Sequence, residues 1–281
     1  MNVRLIPRLD IKGPNLVKGI HLEGLRIMGD PKKFAQIYSE EGADELIYID
    51  IVASLYERNS ILDLVRTTSS EILIPLTVGG GLRKLKDIRD ALRAGADKVS
   101  LNTAAIRRPE LIQEAAEEFG SSTIVISIEA KKLESGGWEA YIDCGRERTG
   151  VNAIDWAKRV EELGAGEILL TSIDREGTGR GYDLELTKHI ASSVEIPVIA
   201  SGGAGSVKDV AKVVHSGKAD AVAVASLLHY DVLKRFPELA AASISHMSSG
   251  TNRLTAASIE TIKHTMTDNK ISVRPAKDSD A

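Results

Sequence analysis

Cysteine is nearly absent. Cys144 is the only one in 281 residues, so no disulfide can form within the chain and a reducing compartment is expected. Aromatic residues make up 4% of the chain, and its two tryptophans, Trp138 and Trp156, read as packing residues rather than a stacking platform. There is no excess of positive charge. The net charge is −4 with both signs interspersed, which argues against nucleic acid as a partner. No apolar run approaches the roughly 20 residues of a membrane span, and the N-terminus lacks a signal-peptide pattern. No membrane association is expected, and the expected location is cytoplasmic. His21, His215 and His229 have no metal-ligand spacing, and Gly203-Ala-Gly205 lacks the spacing and downstream acid of a dinucleotide fingerprint. No metal and no cofactor are therefore expected.

What is present is glycine in particular places. Ile196-Pro-Val-Ile-Ala-Ser-Gly-Gly-Ala-Gly205 reads as a buried strand that breaks into a glycine-rich turn, and Ser206 then opens a helix. Strand, glycine turn and helix N-terminus in that order form an anion pocket. Glycine lets the backbone approach an oxygen, and the helix offers unpaired N–H groups. The pattern occurs twice. Ile74-Pro-Leu-Thr-Val-Gly-Gly-Gly-Leu82 aligns with it, placing Gly80 on Gly202, Gly81 on Gly203, Lys86 on Lys208 and Asp87 on Asp209. The two halves read as copies of a unit of about 120 residues. Two such pockets imply a ligand with a phosphate at each end.

Strands are expected over residues 3–9, 45–51, 73–78, 98–101, 123–128, 167–171, 197–200 and 221–225. Most are short, continuously apolar runs, the pattern of parallel strands covered on both faces. Helical patterns alternate with them at 31–41, 61–70, 84–94, 109–119, 153–163, 183–193 and 207–216. Eight such repeats indicate an α/β fold of the TIM (β/α)8 barrel type, with an internal twofold repeat of half-barrels. A doubly wound open sheet is the alternative. Residues 131–148 read as a hairpin excursion. The expected organisation is a single barrel domain over 1–232, an Ala/Ser-rich insertion over 233–255, and a terminal helix with a polar tail over 256–281, the helix near 256–266.

In such a barrel the C-terminal strand ends carry the active site. Those positions hold Asp10, Asp50, Gly80, Gly81, Asn102, Glu129, Thr171, Asp174, Glu176, Gly202, Gly203 and Ser226. Asp10 and Glu129 end the first and fifth strands, on opposite sides of the mouth. Such a pair suits general acid–base work on a ligand held between them. Asn102 with Thr103, and Ser226, stand where they would complete the two glycine cups, and Lys18 is placed to clamp a ligand from the first loop. At the other strand ends lie Arg4, Glu45, Lys98 and Glu167. These read either as a stabilising ring of salt bridges or as a gate to the barrel interior.

The segments Ile6-Pro-Arg-Leu-Asp-Ile-Lys12, Thr77-Val-Gly-Gly-Gly81, Gly95-Ala-Asp-Lys-Val-Ser100, Gly166-Glu-Ile-Leu-Leu-Thr-Ser172 and Gly181-Tyr-Asp-Leu-Glu-Leu186, together with 196–205, resemble the cyclase subunit of imidazole glycerol phosphate synthase of histidine biosynthesis. The resemblance runs from about Val3 to Tyr230. It implies a lyase that takes ammonia from a glutaminase (glutamine amidotransferase) subunit. The acceptor is the bis-phosphorylated N′-(phosphoribulosyl)formimino-AICAR ribonucleotide, and the products are imidazole glycerol phosphate and AICAR ribonucleotide. It implies that Asp10 is the catalytic base and Glu129 the second catalytic acid. Lys18, Asp50, Asn102 and Thr171 become substrate-site positions, and Arg4, Glu45, Lys98 and Glu167 an ammonia gate. Three positions depart from the family's pattern: Glu129 and Glu176 stand where it has aspartate, and Arg8 where it has cysteine. Two alternatives follow from these departures and from the shared barrel: a paralogue serving a sugar amidotransferase in surface polysaccharide synthesis, and a non-catalytic scaffold that activates a glutaminase.

Overall fold

The computed structural model describes residues 2–53, 61–241 and 254–276. Its strands in chain order are β1 (Arg4–Lys12), β2 (Asn15–Ile20), β3 (Glu23–Gly29), β4 (Leu46–Asp50), β5 (Leu76–Gly79), β6 (Lys98–Leu101), β7 (Ile124–Lys132), β8 (Trp138–Ile142), β9 (Glu147–Asn152), β10 (Glu167–Ser172), β11 (Val198–Ser201) and β12 (Ala221–Val224). Eight of these, β1, β4, β5, β6, β7, β10, β11 and β12, pair in parallel, and β12 closes back on β1. Helices follow each of them on the outside, so the chain is a TIM barrel.

Side chains alternate along each strand, so every second residue of β1 points into the barrel. Arg4, Ile6, Arg8 and Asp10 therefore stack from floor to mouth. Ile6 joins Ile47, Val125, Leu169, Ile199, Ala221 and Ala223 in an apolar layer that fills the interior. Two larger clusters lie between strands and helices. One is centred on β1, β4, β12 and the last helix, the other on β6, β7 and β10. Burying one such Leu or Ile side chain is worth about 1.5–3 kcal/mol.

Carboxylates set the strand starts. Asp44 accepts from Leu5 N–H at 2.8 Å, Asp97 from Leu76 N–H at 2.8 Å and Asp220 from Val198 N–H at 2.9 Å. The helix Val207–His215 begins with a reciprocal capping box between Ser206 and Asp209. Lys263, on the terminal helix, is buried and donates to Gly42 O at 2.7 Å and Asp44 at 2.9 Å, which ties that helix to the barrel floor.

Four details differ from expectation. The third barrel strand starts at Leu76, not residue 73, and Leu73 is 89% exposed ahead of it. β1 runs on to Lys12 and turns into the antiparallel hairpin β2–β3, where the sequence pattern predicts a loop. The terminal helix is Ile259–Asp268, set by the Ser258 side chain accepting from Thr261 N–H. The helix Ser226–Arg235 runs past residue 232, where the barrel was expected to end. Residues 242–253, within the Ala/Ser-rich stretch, lie outside the described residues. The excursion at 131–148 is the hairpin β8–β9, which pairs with the extended end of β7. Among the described residues no helix is long and apolar enough to cross a membrane.

Candidate active site

Asp10 and Glu129 lie at the same mouth, at the C-terminal ends of β1 and β7, four strands apart in either direction round the barrel. Both are buried, at 4% and 6% exposure. Arg8 Nε donates to Asp10 Oδ1 at 3.0 Å, and Asn102 Nδ2 donates to Glu129 Oε2 at 3.0 Å. Burial pushes the Glu129 carboxyl up to about 7, with Asp10 and Asp143 adding to the rise while Arg8 and the Gly145 N–H oppose it. Glu129 can thus hold a proton at neutral pH and release it, which an ordinary exposed glutamate cannot do.

The first glycine cup opens beside Glu129. A cavity of about 280 Å³ is lined by Asp50, Gly80, Gly81, Asn102, Thr103 and Glu129, among others. Gly80 has φ +96°, and a Cβ there would stand 2.1 Å from Asp50 O, so only glycine fits. Asp50 is buried and caps Val52 N–H at 3.1 Å. Thr103 begins a helix at the cup, and its hydroxyl is engaged with Asp143: it accepts from Asp143 N–H at 3.0 Å and donates to Oδ1 at 3.3 Å. Asn102 Oδ1 is buried without a partner among the described residues.

The second cup is narrow. Gly202, Gly203, Ser226, Ser201, Lys18 and Glu176 surround, with Arg8, a space of about 20 Å³. Lys18, on β2, forms an ion pair with Glu176 in which both side chains are 7% exposed. Burial alone would raise the Glu176 carboxyl, but Lys18 and Arg8 outweigh it and hold the group below its ordinary value. The β2–β3 hairpin rests on the loop after β10: His21 N–H donates to Glu176 O at 2.9 Å, and its ring meets Ile173 O at 2.7 Å. Thr171 is fully buried and accepts from Arg8 Nη1 at 2.9 Å. Asp174 points away from this group and accepts from Lys132 N–H at 2.8 Å.

At the barrel floor Arg4 contacts Glu45 at 2.7 Å and Glu167 at 3.1 Å, and Lys98 contacts Glu45 at 3.1 Å and Glu167 at 2.7 Å. The four form a closed ring of alternating charge below the apolar layer. One contributor was missed from the sequence, and another was named there without its contacts. Arg8, singled out as a departure from the family's pattern, points inward because it stands two residues before Asp10. Asp143–Gly145 reach the first cup only through the fold of the β8–β9 turn, where Asp143 and Cys144 adopt φ +52° and +58°.

A family model described as "Histidine biosynthesis protein" matches residues 4–234. Three proteins named imidazole glycerol phosphate synthase subunit HisF are similar along most of their length. That of Legionella pneumophila is 58% identical over 208 residues, 74% of this chain and 98% of the relative. That of Alkaliphilus metalliredigens is 52% identical over 228 residues, 81% of this chain and 90% of the relative. That of Prochlorococcus marinus is 54% identical over 229 residues, again 81% and 90%.

Proposed function

The chain belongs to the histidine biosynthesis protein family, and from that membership we propose that its barrel mouth is the active site of the cyclase subunit of imidazole glycerol phosphate synthase. The reaction is that of a lyase. Ammonia and N′-(phosphoribulosyl)formimino-AICAR ribonucleotide give imidazole glycerol phosphate and AICAR ribonucleotide. The observation that carries the reading is the pair of opposed carboxylates, Asp10 and Glu129, set at one mouth with a glycine cup on each side.

Each residue has a part in it. Gly80 and Gly81, with Asn102 and Thr103, receive one phosphate of the substrate, and Gly202 and Gly203 with Ser226 receive the other. Lys18, which lines this narrow space, meets the second phosphate from the β2–β3 hairpin. Asp10 takes a proton during ring closure. Glu129, whose carboxyl burial pushes up to about 7, returns one as general acid. Asp50 and Thr171 orient the middle of the ligand. Ammonia released by a glutaminase subunit at the floor passes the ring of Arg4, Glu45, Lys98 and Glu167 and crosses the apolar layer, whose low polarity favours the neutral molecule over ammonium.

Turnover of the purified chain with ammonium salt and the ribonucleotide substrate, followed by loss of substrate absorbance, tests the assignment. Turnover without any glutaminase supports it. A folded protein that leaves the substrate unchanged over a range of ammonium concentrations refutes it.

A further inference from the structure

Arg8 is the one charged side chain that stands between the apolar layer and the carboxylates of the mouth along β1. It is 4% exposed and one inward position above Ile6. Its donors reach three strands: Nε to Asp10 on β1 at 3.0 Å, and Nη1 to Thr171 on β10 at 2.9 Å and Ser201 on β11 at 3.2 Å. The planar guanidinium cannot satisfy these three acceptors in more than one orientation. Asp10 depends on it. Among the described residues, Arg8 is the only group shown to hydrogen-bond the Asp10 side chain.

We propose that Arg8 is a positioning residue of the ring closure, anchored on β10 and β11 so that it holds the Asp10 carboxylate in place across the mouth from Glu129. The proposal rests on the cyclase reading above. Two hydroxyls fix the guanidinium on the far strands, and the fixed guanidinium fixes one oxygen of Asp10, leaving the other for the substrate. A displacement of about 1 Å at a reacting carboxylate costs roughly a hundredfold in rate. The charge acts further. Burial raises the Glu129 carboxyl and Arg8 works against that rise. The other charged or titratable groups around Glu129 are Asp10 on β1, Asp50 at the end of β4, Tyr141 paired with it on β8, Asp143 and Cys144 in the β8–β9 turn, and Arg83, Arg107 and Arg108 around the cavity it lines.

Arg8→Met and Arg8→Lys test it, each assayed with ammonium salt and substrate and each labelled with ¹³C in its carboxyl groups for NMR titration. The expected result for Arg8→Met is a fall in kcat of about a hundredfold with KM within about threefold, and a Glu129 titration midpoint moved to higher pH. Arg8→Lys keeps the charge but not the fork, so its Glu129 midpoint stays near that of wild type while kcat recovers only about tenfold. A kcat within about threefold of wild type in Arg8→Met, or a Glu129 midpoint that does not move, overturns the inference. If Arg8→Met does not fold, Arg8→Lys alone decides: a full wild-type kcat overturns the inference. If the wild-type chain itself shows no turnover, the cyclase reading fails, and the NMR titration still decides for Arg8: an unchanged Glu129 midpoint overturns it.

Discussion

Glu129 is marked out by its proton affinity. Its folded value near 7 lies above the ordinary 4.5, so the folded state binds a proton that the unfolded chain releases. The sign follows: stability from this group is full below about pH 4.5 and is lost as pH rises through 7. Glu129→Gln removes that dependence. Denaturant titrations are expected to show the variant gaining on wild type between pH 4.5 and 8, by on the order of 3 kcal/mol as an upper bound. The same variant, which has no proton to give, is expected to lose about 10²–10⁴ in kcat. Gly80 makes a different demand. Its φ of +96° and the 2.1 Å approach of a Cβ to Asp50 O leave alanine no room. Gly80→Ala is expected to cost about 1–3 kcal/mol in stability and to raise KM at least tenfold. Gly202→Ala, whose Cβ would meet its nearest neighbours at 3.1 Å, is expected to be milder in thermal and kinetic assays alike.

At the scale of elements, the β2–β3 hairpin bears on the second cup. It carries Lys18 to the buried pair with Glu176 and rests on the loop after β10. Removing Lys18 takes the hydrogen-bonded partner from a buried carboxylate and leaves Arg8 as its nearest remaining charge of opposite sign. Lys18→Met is expected to lower stability at pH 7 by roughly 3 kcal/mol, and the loss should be relieved in Lys18→Met/Glu176→Gln. Glu176 is depressed in the folded state, so the contribution of the pair is present above the ordinary carboxylate range and disappears as pH falls through the folded value; the gap between variant and wild type should close there. KM should rise tenfold or more in both variants if Lys18 meets a phosphate. The sequence did not show this hairpin. Gly13 and Gly24 mark turns, but Gly19 interrupts the short run 15–20, so no strand period could be read across it.

Across the whole molecule, the barrel was legible because its strands are brief apolar runs between amphipathic helices and its cups are spelled out in glycine. The opposition of Asp10 and Glu129 followed from strand count alone. Long-range closeness was not legible. Nothing in the sequence places Arg8 against Thr171 and Ser201, 163 and 193 residues away, or Asp143 against Thr103. The floor ring of Arg4, Glu45, Lys98 and Glu167 was visible as four strand-start charges, with plug and gate left open. Lys98→Ala separates these at the level of the assembly. As a gate residue, its loss should lower glutamine-dependent turnover in the presence of a glutaminase subunit at least tenfold, with ammonium-dependent turnover within about threefold. Equal loss of both activities, tracking a fall in melting temperature, would leave only the plug.

The most direct measurement is the paired binding and single-turnover assay of Asp10→Asn with the bis-phosphorylated substrate and saturating ammonium salt. Two cups that hold the ligand and an acid on each side that works on its middle require substrate affinity within about threefold of wild type and a turnover rate lower by at least 10². An Asp10→Asn protein that closes the ring at the wild-type rate, or that no longer binds the substrate although folded, would contradict the account.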